Sequence, residues 1–132
     1  MELDLFSGER RTHYCGELSL KNVGEMVTVC GWVARNRDLG RLIFCDLRDR
    51  TGIVQLAFDD NTDRDIFNKA FALRAEAVVL CEGVVRERSS KNPDLPTGDI
   101  EIDAKKLKVL AVSETPPFEI TDATGAKEEL RL

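Results

Sequence analysis

The segment RLIFCDLRD, residues 41–49, places an aromatic side chain among charged ones on what should be the solvent face of a strand. Side chains of an extended chain alternate between two faces, so one face of this segment is apolar and belongs in a core: Ile43, Cys45 and Leu47. Phe44 then shares the opposite face with Asp46 and Arg48. A flat ring outside a core is a candidate platform on which a planar ligand can stack.

Alternation in two further segments brings polar side chains to the outer surface. The inward residues of segments 53–59 and 99–103 are apolar: Val54, Leu56, Phe58, Ile100 and Ile102. Gln55 and Ala57 therefore point outward, and so does Glu101, which we expect to be a solvated surface residue. Arg35 and Arg37 share a face with each other. The middle of the sheet should thus display an aromatic ring, an amide and an arginine on one surface.

These three side-chain types together suit an unpaired nucleobase. The ring stacks on the face of a base, which contributes about 1–3 kcal/mol per base. The amide donates and accepts, so it can read a Watson–Crick edge, and the guanidinium can bind a phosphate or a base acceptor. Two alternatives stay open. In the first, Phe44 is covered by the loop 89–98 or by a partner, and the domain serves protein interaction. In the second, the domain binds single strands without sequence preference.

Composition limits the classes of function. The chain has 132 residues and a net charge of −5, which suit one domain or one domain with a tail. The acidic balance argues against binding through non-specific phosphate contacts alone, because that usually requires a strongly basic surface. Residues 31–50 nevertheless carry five arginines against three aspartates, which fits a limited and specific nucleic-acid contact.

Patterns for membranes, metals and catalysis are missing from the sequence. No apolar run approaches the ~20 residues that span a bilayer, and MELDLFSGERR is not a signal peptide, so we expect a cytoplasmic protein without a membrane partner. The four cysteines form no CxxC pair and His13 is the single histidine, so no metal site is expected. No P-loop, GxGxxG or nucleophile elbow occurs, so we expect no catalytic residues and no cofactor for this domain.

The periodicities predict an all-β fold with a small α content. Alternation predicts five strands, the last being one strand or a strand pair: residues 26–37, 41–49, 53–59, 76–88 and 99–112. A helix over 61–73, capped by Asn61 or Thr62, lies between the third and fourth strands, and Gly31 is expected to form a bulge or a sharp bend. This order predicts a five-stranded Greek-key OB-fold barrel. We place the domain at residues 19–112, between a lead-in over 1–18 and a linker over 113–132.

Several motifs carry a family resemblance. They are Tyr-Cys-Gly-x-Leu within residues 11–18, and Cys-Gly-Trp-Val, Arg-Asp-x-Gly and Leu-Ile-Phe-x-Asp-x-Arg-Asp within residues 23–58. Together with TGDIEI at 97–102 and EELRL at 128–132, they resemble the N-terminal anticodon-binding domain of bacterial aspartyl-tRNA synthetases.

The resemblance implies a role for each matching residue. Phe44 would stack on the middle anticodon base, a uridine, and Gln55 would hydrogen-bond to that base, with Arg37 holding the same region. Glu101 would read the first base, a guanine. Three further residues would contact the third base and nearby phosphates: Arg86, Arg88 and Asn92.

The resemblance also implies what lies outside this chain. The full enzyme joins aspartate to tRNA with ATP and magnesium and is a homodimer, and the linker would lead to its catalytic domain. This domain alone is then expected to be a non-catalytic monomer that needs no cofactor and binds the anticodon loop of tRNA(Asp), with its GUC anticodon, weakly.

Overall fold

The computed structural model describes residues 11–112, so the expected linker and the first ten residues of the lead-in lie outside the described residues. Six main elements follow along this range: β1 (Met26–Asp38), β2 (Ile43–Asp49), β3 (Gly52–Phe58), α1 (Arg64–Phe71), β4 (Val78–Glu87) and β5 (Ile100–Ala111). Two short 3-10 turns, Cys15–Glu17 and Leu20–Asn22, precede β1. No helix within this range is long and apolar enough to cross a membrane.

The five strands close into a barrel in the order β1–β2–β3–β5–β4. Neighbouring strands run antiparallel, except that β3 and β5 pair in parallel. The helix α1 connects β3 to β4 and buries Phe67 and Ala70 in the barrel core. The predicted five-stranded OB-fold with a helix between the third and fourth strands is therefore confirmed.

The interior follows the predicted alternation. Every residue that alternation placed inside is fully buried: Ile43, Cys45, Leu47, Val54, Leu56, Phe58, Ile100 and Ile102. Phe44 lies on the opposite face of β2 and is not part of this core cluster. The two faces of β2 are thus assigned correctly by the period of two.

The ends of the strands and of the helix differ from the predicted ones because local hydrogen bonds determine where each element begins and ends. The strands differ by one or two residues at their ends, and β5 is a single strand. The helix is shorter than the predicted 61–73, because Asp63 is its N-cap and accepts a hydrogen bond from the Asp65 N–H at 3.0 Å. The predicted caps, Asn61 and Thr62, lie in the turn before the helix.

The expected bulge at Gly31 is wrong, because the irregularity of β1 lies further along. Gly31 pairs regularly with β4. Its missing side chain lets β2 approach closely, because an added Cβ would lie 2.3 Å from a carbonyl oxygen of β2. The register against β2 shifts instead between Val33 and Arg35. Val33 is buried, so strict alternation would send Arg35 and Arg37 inward. The extra residue reverses this phase and brings both arginines to the outer face.

Asp49 joins the lead-in to the barrel. Its carboxylate accepts hydrogen bonds from the backbone N–H groups of Cys15 and Thr51, both at 2.8 Å, and from the Thr51 hydroxyl at 2.5 Å. Burial opposes the charge of this carboxylate, but the hydrogen bonds outweigh burial and hold the pKa of Asp49 below its usual value of 3.8.

We expect Asp49→Asn to lower the free energy of unfolding by about 1–3 kcal/mol at neutral pH, because an amide N–H would face a backbone donor. The depressed pKa means that the contribution of the carboxylate is present above the unfolded-state pKa and is lost as the pH falls through the folded-state value. Urea unfolding of both proteins should therefore show a difference that shrinks below about pH 4.

The exposed Asp60 supplies the control, since its side chain is 69% exposed and Asp60→Asn should change little at any pH. An Asp49→Asn difference that stayed constant down to low pH would contradict the role assigned to the charge.

Candidate nucleic-acid interface

A cavity of about 320 Å³ opens on the outer face of the barrel, between the sheet and the segment that follows β4. The strands contribute six lining residues: Arg35, Arg37, Phe44, Asp46, Gln55 and Glu101. The segment after β4 contributes another six: Arg88, Ser89, Ser90, Lys91, Asn92 and Leu95. All the site residues predicted from the sequence except Arg86 therefore line one cavity, whose volume is sufficient for a small planar group.

Phe44 is half-buried in the wall of this cavity. Its cross-strand partners are Arg37 on β1 and Ala57 on β3. The guanidinium carbon of Arg37 lies 5.4 Å from the centre of the Phe44 ring, which is a cation–π contact. The ring is thus held from the side by a neighbouring strand, and the segment after β4 lines the same cavity.

Gln55 is oriented by a charged residue on each side. The Nη2 atom of Arg37 donates to Gln55 Oε1 at 2.9 Å, and Gln55 Nε2 donates to Glu101 Oε1 at 2.8 Å. A flipped amide would place its N–H₂ against the guanidinium and its oxygen against the carboxylate. The two charges therefore fix which end of the amide is donor and which is acceptor.

The outer face of β3 and β5 is more buried than expected. Glu101 is 7% exposed and Gln55 is 5% exposed, so the expectation of a solvated Glu101 is wrong. Ala57 points outward as expected, yet it is fully covered. A buried carboxylate is stable only with hydrogen-bond partners, and sequence alternation cannot show that Glu101 has two of them.

Arg86 reaches the site only through Glu101. It does not line the cavity, and its Nε atom donates to Glu101 Oε2 at 2.7 Å. Burial by itself would lower the pKa of Arg86, but the hydrogen bond and charge of Glu101, together with neighbouring aspartates, raise it. The guanidinium is therefore firmly charged and already engaged.

Arg88 and Asn92 line the same cavity as Phe44 and come from the segment that follows β4. Arg88 is 7% exposed and its Nε atom donates to the Ile100 carbonyl at 3.1 Å, and burial lowers the pKa of this arginine. The Asn92 N–H donates to the Gly98 carbonyl at 2.9 Å, and an added Cβ at Gly98 would lie 1.7 Å from the Asn92 carbonyl oxygen. This close approach folds the segment back on itself and makes the wall preformed.

Several lining residues lie outside the set predicted from the sequence. Arg35 points outward like Arg37, and the spacing of two between them predicts that they share a face. Whether this face also carries Phe44 depends on the bulge in β1. The cavity walls hold four basic side chains and two carboxylates, Asp46 and Glu101, within an acidic chain. This local excess of positive charge suits a polyanion.

No group of three or more His, Cys, Asp or Glu side chains within residues 11–112 could hold a metal ion. Three of the four cysteines are buried, namely Cys15, Cys45 and Cys81, and Cys30 is partly buried. Burial raises the pKa of the Cys45 thiol to about 12, so this cysteine is a small apolar group at neutral pH.

The sequence matches a known family over nearly the whole barrel. The model of the tRNA anticodon family, described as an OB-fold nucleic acid binding domain, covers residues 27–110. The chain belongs to this family of OB-fold anticodon-binding domains. Every residue that lines the cavity of this anticodon-binding domain falls within the matched range.

Relatives of the anticodon-binding domain are longer proteins. The aspartate–tRNA(Asp/Asn) ligase of Caldanaerobacter subterraneus subsp. tengcongensis is 51% identical over 127 residues, which are 95% of this chain and 22% of that relative. The chain therefore spans about a fifth of the length of the curated relatives that it matches.

Two solved structures resemble the anticodon-binding domain. Asparaginyl-tRNA synthetase from Pyrococcus horikoshii, complexed with asparaginyl-adenylate, is 37% identical with a TM-score of 0.67, over 81% of this chain and 24% of that chain. OBody AM2EP06, bound to hen egg-white lysozyme, is 28% identical with a TM-score of 0.70, over 80% of this chain and 97% of that chain.

The hydrogen bond between Gln55 and Glu101 can be tested by exchanging the two groups. We expect Gln55→Glu to lower the free energy of unfolding by about 1–3 kcal/mol, because two carboxylates would meet in a buried place. Adding Glu101→Gln should recover most of this loss, since the amide would then donate to the carboxylate in the reverse direction. Urea unfolding of the two single variants and the double variant measures this. Losses that simply add would contradict the direct hydrogen bond.

Proposed function

We propose that this domain binds the anticodon loop of tRNA(Asp) and reads the anticodon GUC. The observation that supports this most directly is the position of Phe44. The ring lies outside the barrel core and lines the same cavity as Gln55, whose amide is oriented by its neighbours. A base that stacks on the ring would meet this amide at its edge.

The middle base of the anticodon fits the remaining hydrogen-bonding capacity of Gln55. One amide N–H and one lone pair of the carbonyl oxygen are left after the bonds to Glu101 and Arg37. A uridine presents an N–H beside a carbonyl oxygen, so the two groups are complementary. A cytosine presents an N–H₂ donor in place of that oxygen and an acceptor in place of that N–H.

The first base fits the carboxylate of Glu101. Each oxygen of Glu101 accepts one hydrogen bond from the protein, which leaves lone pairs for a ligand in the cavity. The Watson–Crick edge of guanine carries two adjacent N–H donors, and a carboxylate accepts such a pair. Adenine offers an acceptor at the corresponding position and would be rejected.

The basic residues of the cavity fit the third base and the phosphates. Arg88, Lys91 and Asn92 line the same cavity as Phe44. Arg35 lines the same cavity and has no ion-pair partner among the described residues. A guanidinium without a protein carboxylate can bind a phosphate at little electrostatic cost.

The whole protein is proposed to be an aspartate–tRNA ligase, as its relatives of about 50% identity are named. It would attach aspartate to tRNA in the cytoplasm as a homodimer, with ATP and magnesium held by a catalytic domain outside these residues. The domain described here would contribute recognition of the tRNA and would neither hold a cofactor nor catalyse the reaction alone.

A protein-interaction role is the second candidate, because the OBody that is similar to this chain is bound to lysozyme. The same fold therefore can present a protein-binding face. The four basic side chains that line the cavity favour a nucleic acid here. Binding of single strands without sequence preference is a further outcome of the test.

The proposal is tested by titrating three ligands into the chain while fluorescence anisotropy is measured. These are an anticodon stem-loop with GUC, the same stem-loop with cytosine as middle base, and poly-dT. We expect the uridine to be preferred by about 5- to 150-fold. Equal affinity for all three ligands, with a steep salt dependence, would indicate non-specific binding, and no binding of any of them would overturn the proposal.

We expect Phe44→Ala to weaken binding of the GUC stem-loop by about 5- to 150-fold, because one stacking interaction is lost. Phe71→Ala is the matched control, since Phe71 is 61% exposed on α1 and does not line the cavity. Anisotropy titrations give the affinities, and circular dichroism shows whether each variant is folded. Loss of the fold in Phe44→Ala would mean that the ring is structural.

A further inference from the structure

We infer that Arg86 is a positioning residue, which fixes the direction of the Glu101 carboxylate and balances its charge instead of touching the RNA. This inference rests on the proposed function, because it assigns Arg86 a part in reading the first base. It departs from the resemblance, which implied a direct contact between Arg86 and the tRNA.

The first support is the geometry of the pair. Arg86 on β4 and Glu101 on β5 are direct cross-strand partners, so their side chains leave the same face of the barrel side by side. Arg86 Nε donates to Glu101 Oε2 at 2.7 Å, while Gln55 Nε2 donates to Oε1 at 2.8 Å. Two donors on opposite oxygens prevent the carboxylate from rotating, so its free lone pairs keep one direction in the cavity.

The second support is the charge around Arg86. Besides Glu101, its guanidinium lies 3.4 Å from Asp59 and 3.7 Å from Asp103. Lys105 also pairs with Asp103, at 3.2 Å, so the positive charge of Arg86 is matched chiefly by Glu101 and Asp59. A guanidinium matched in this way has little positive charge left for a phosphate. Arg88, two residues further along, lines the cavity and senses the charges of Glu101 and Asp46, but it makes no ion pair among the described residues.

The third support is what Glu101 needs in order to read a guanine. Only an ionised carboxylate accepts two hydrogen bonds, whereas the protonated form would donate one and could pair with a different base. Without Arg86, the buried carboxylate of Glu101 would lose both its positive counter-charge and the hydrogen bond on Oε2. Arg86 thus holds the reading group in the arrangement that discriminates.

The experiment compares stem-loops whose first anticodon base is guanine or adenine. In the unchanged chain we expect guanine to be preferred by about 5- to 150-fold. Arg86→Gln should lower this preference toward one, and should leave the slope of log affinity against log salt unchanged. Arg86→Lys keeps the charge but not the directed Nε–H, so it should give an intermediate preference.

Arg35→Gln is the matched control, since Arg35 is an exposed arginine of the cavity wall. If Arg35 binds a phosphate, its loss should weaken both stem-loops equally and reduce the salt slope by about 0.7. The same uniform loss and reduced slope in Arg86→Gln would overturn the inference, because it would show that Arg86 itself contacts a phosphate.

Glu101→Gln separates this inference from the proposed function. If Glu101→Gln keeps the guanine preference, the proposed reading of the first base by Glu101 fails. If Glu101→Gln loses the preference and Arg86→Gln keeps it, only the positioning role fails. Should Arg86→Gln not fold, Arg86→Lys is used, and the guanine preference is measured with the salt slope. A lowered preference with an unchanged slope supports the inference, and an unchanged preference or a reduced slope overturns it.

Discussion

One chain of polar contacts passes through all five strands of this barrel. It runs from Asp46 on β2 to Arg37 on β1 at 3.5 Å, and then to Gln55 on β3 at 2.9 Å. It continues to Glu101 on β5 at 2.8 Å and ends at Arg86 on β4 at 2.7 Å. Charges on a covered surface are costly unless each is paired, so every member of this chain depends on its neighbours. The shape of the cavity follows from that mutual dependence.

The barrel is what allows these five residues to meet. Parallel pairing of β3 with β5 places Gln55 close to Glu101, and antiparallel pairing of β4 with β5 sets Arg86 opposite Glu101. The bulge at Ala34 completes the arrangement, since without it Arg37 would point into the apolar interior. A single extra residue in β1 therefore decides whether the sheet has a guanidinium on its binding face.

Sequence alternation was sufficient for the features that depend on a period of two within one strand. It placed Phe44 and Gln55 outside and the residues beside them inside, because each strand has one apolar face. It failed for the bulge and for the start of the helix, since register and capping depend on contacts with other segments. It also failed for the burial of Glu101, which is produced by residues more than ten positions away. The roles of single residues in reading bases came from motif resemblance and not from periodicity.

The hydrogen bond between Gln55 and Glu101 has a consequence for how such a domain can evolve. The two side chains would face two different bases, and they are hydrogen-bonded to each other. Neither can therefore be replaced without changing the other's environment. A lineage that altered its preference at one letter of the anticodon would disturb recognition of the adjacent letter as well. If Gln55 and Glu101 read adjacent bases as proposed, reassignment by single substitutions is obstructed, and paired replacements are the accessible route to a new specificity.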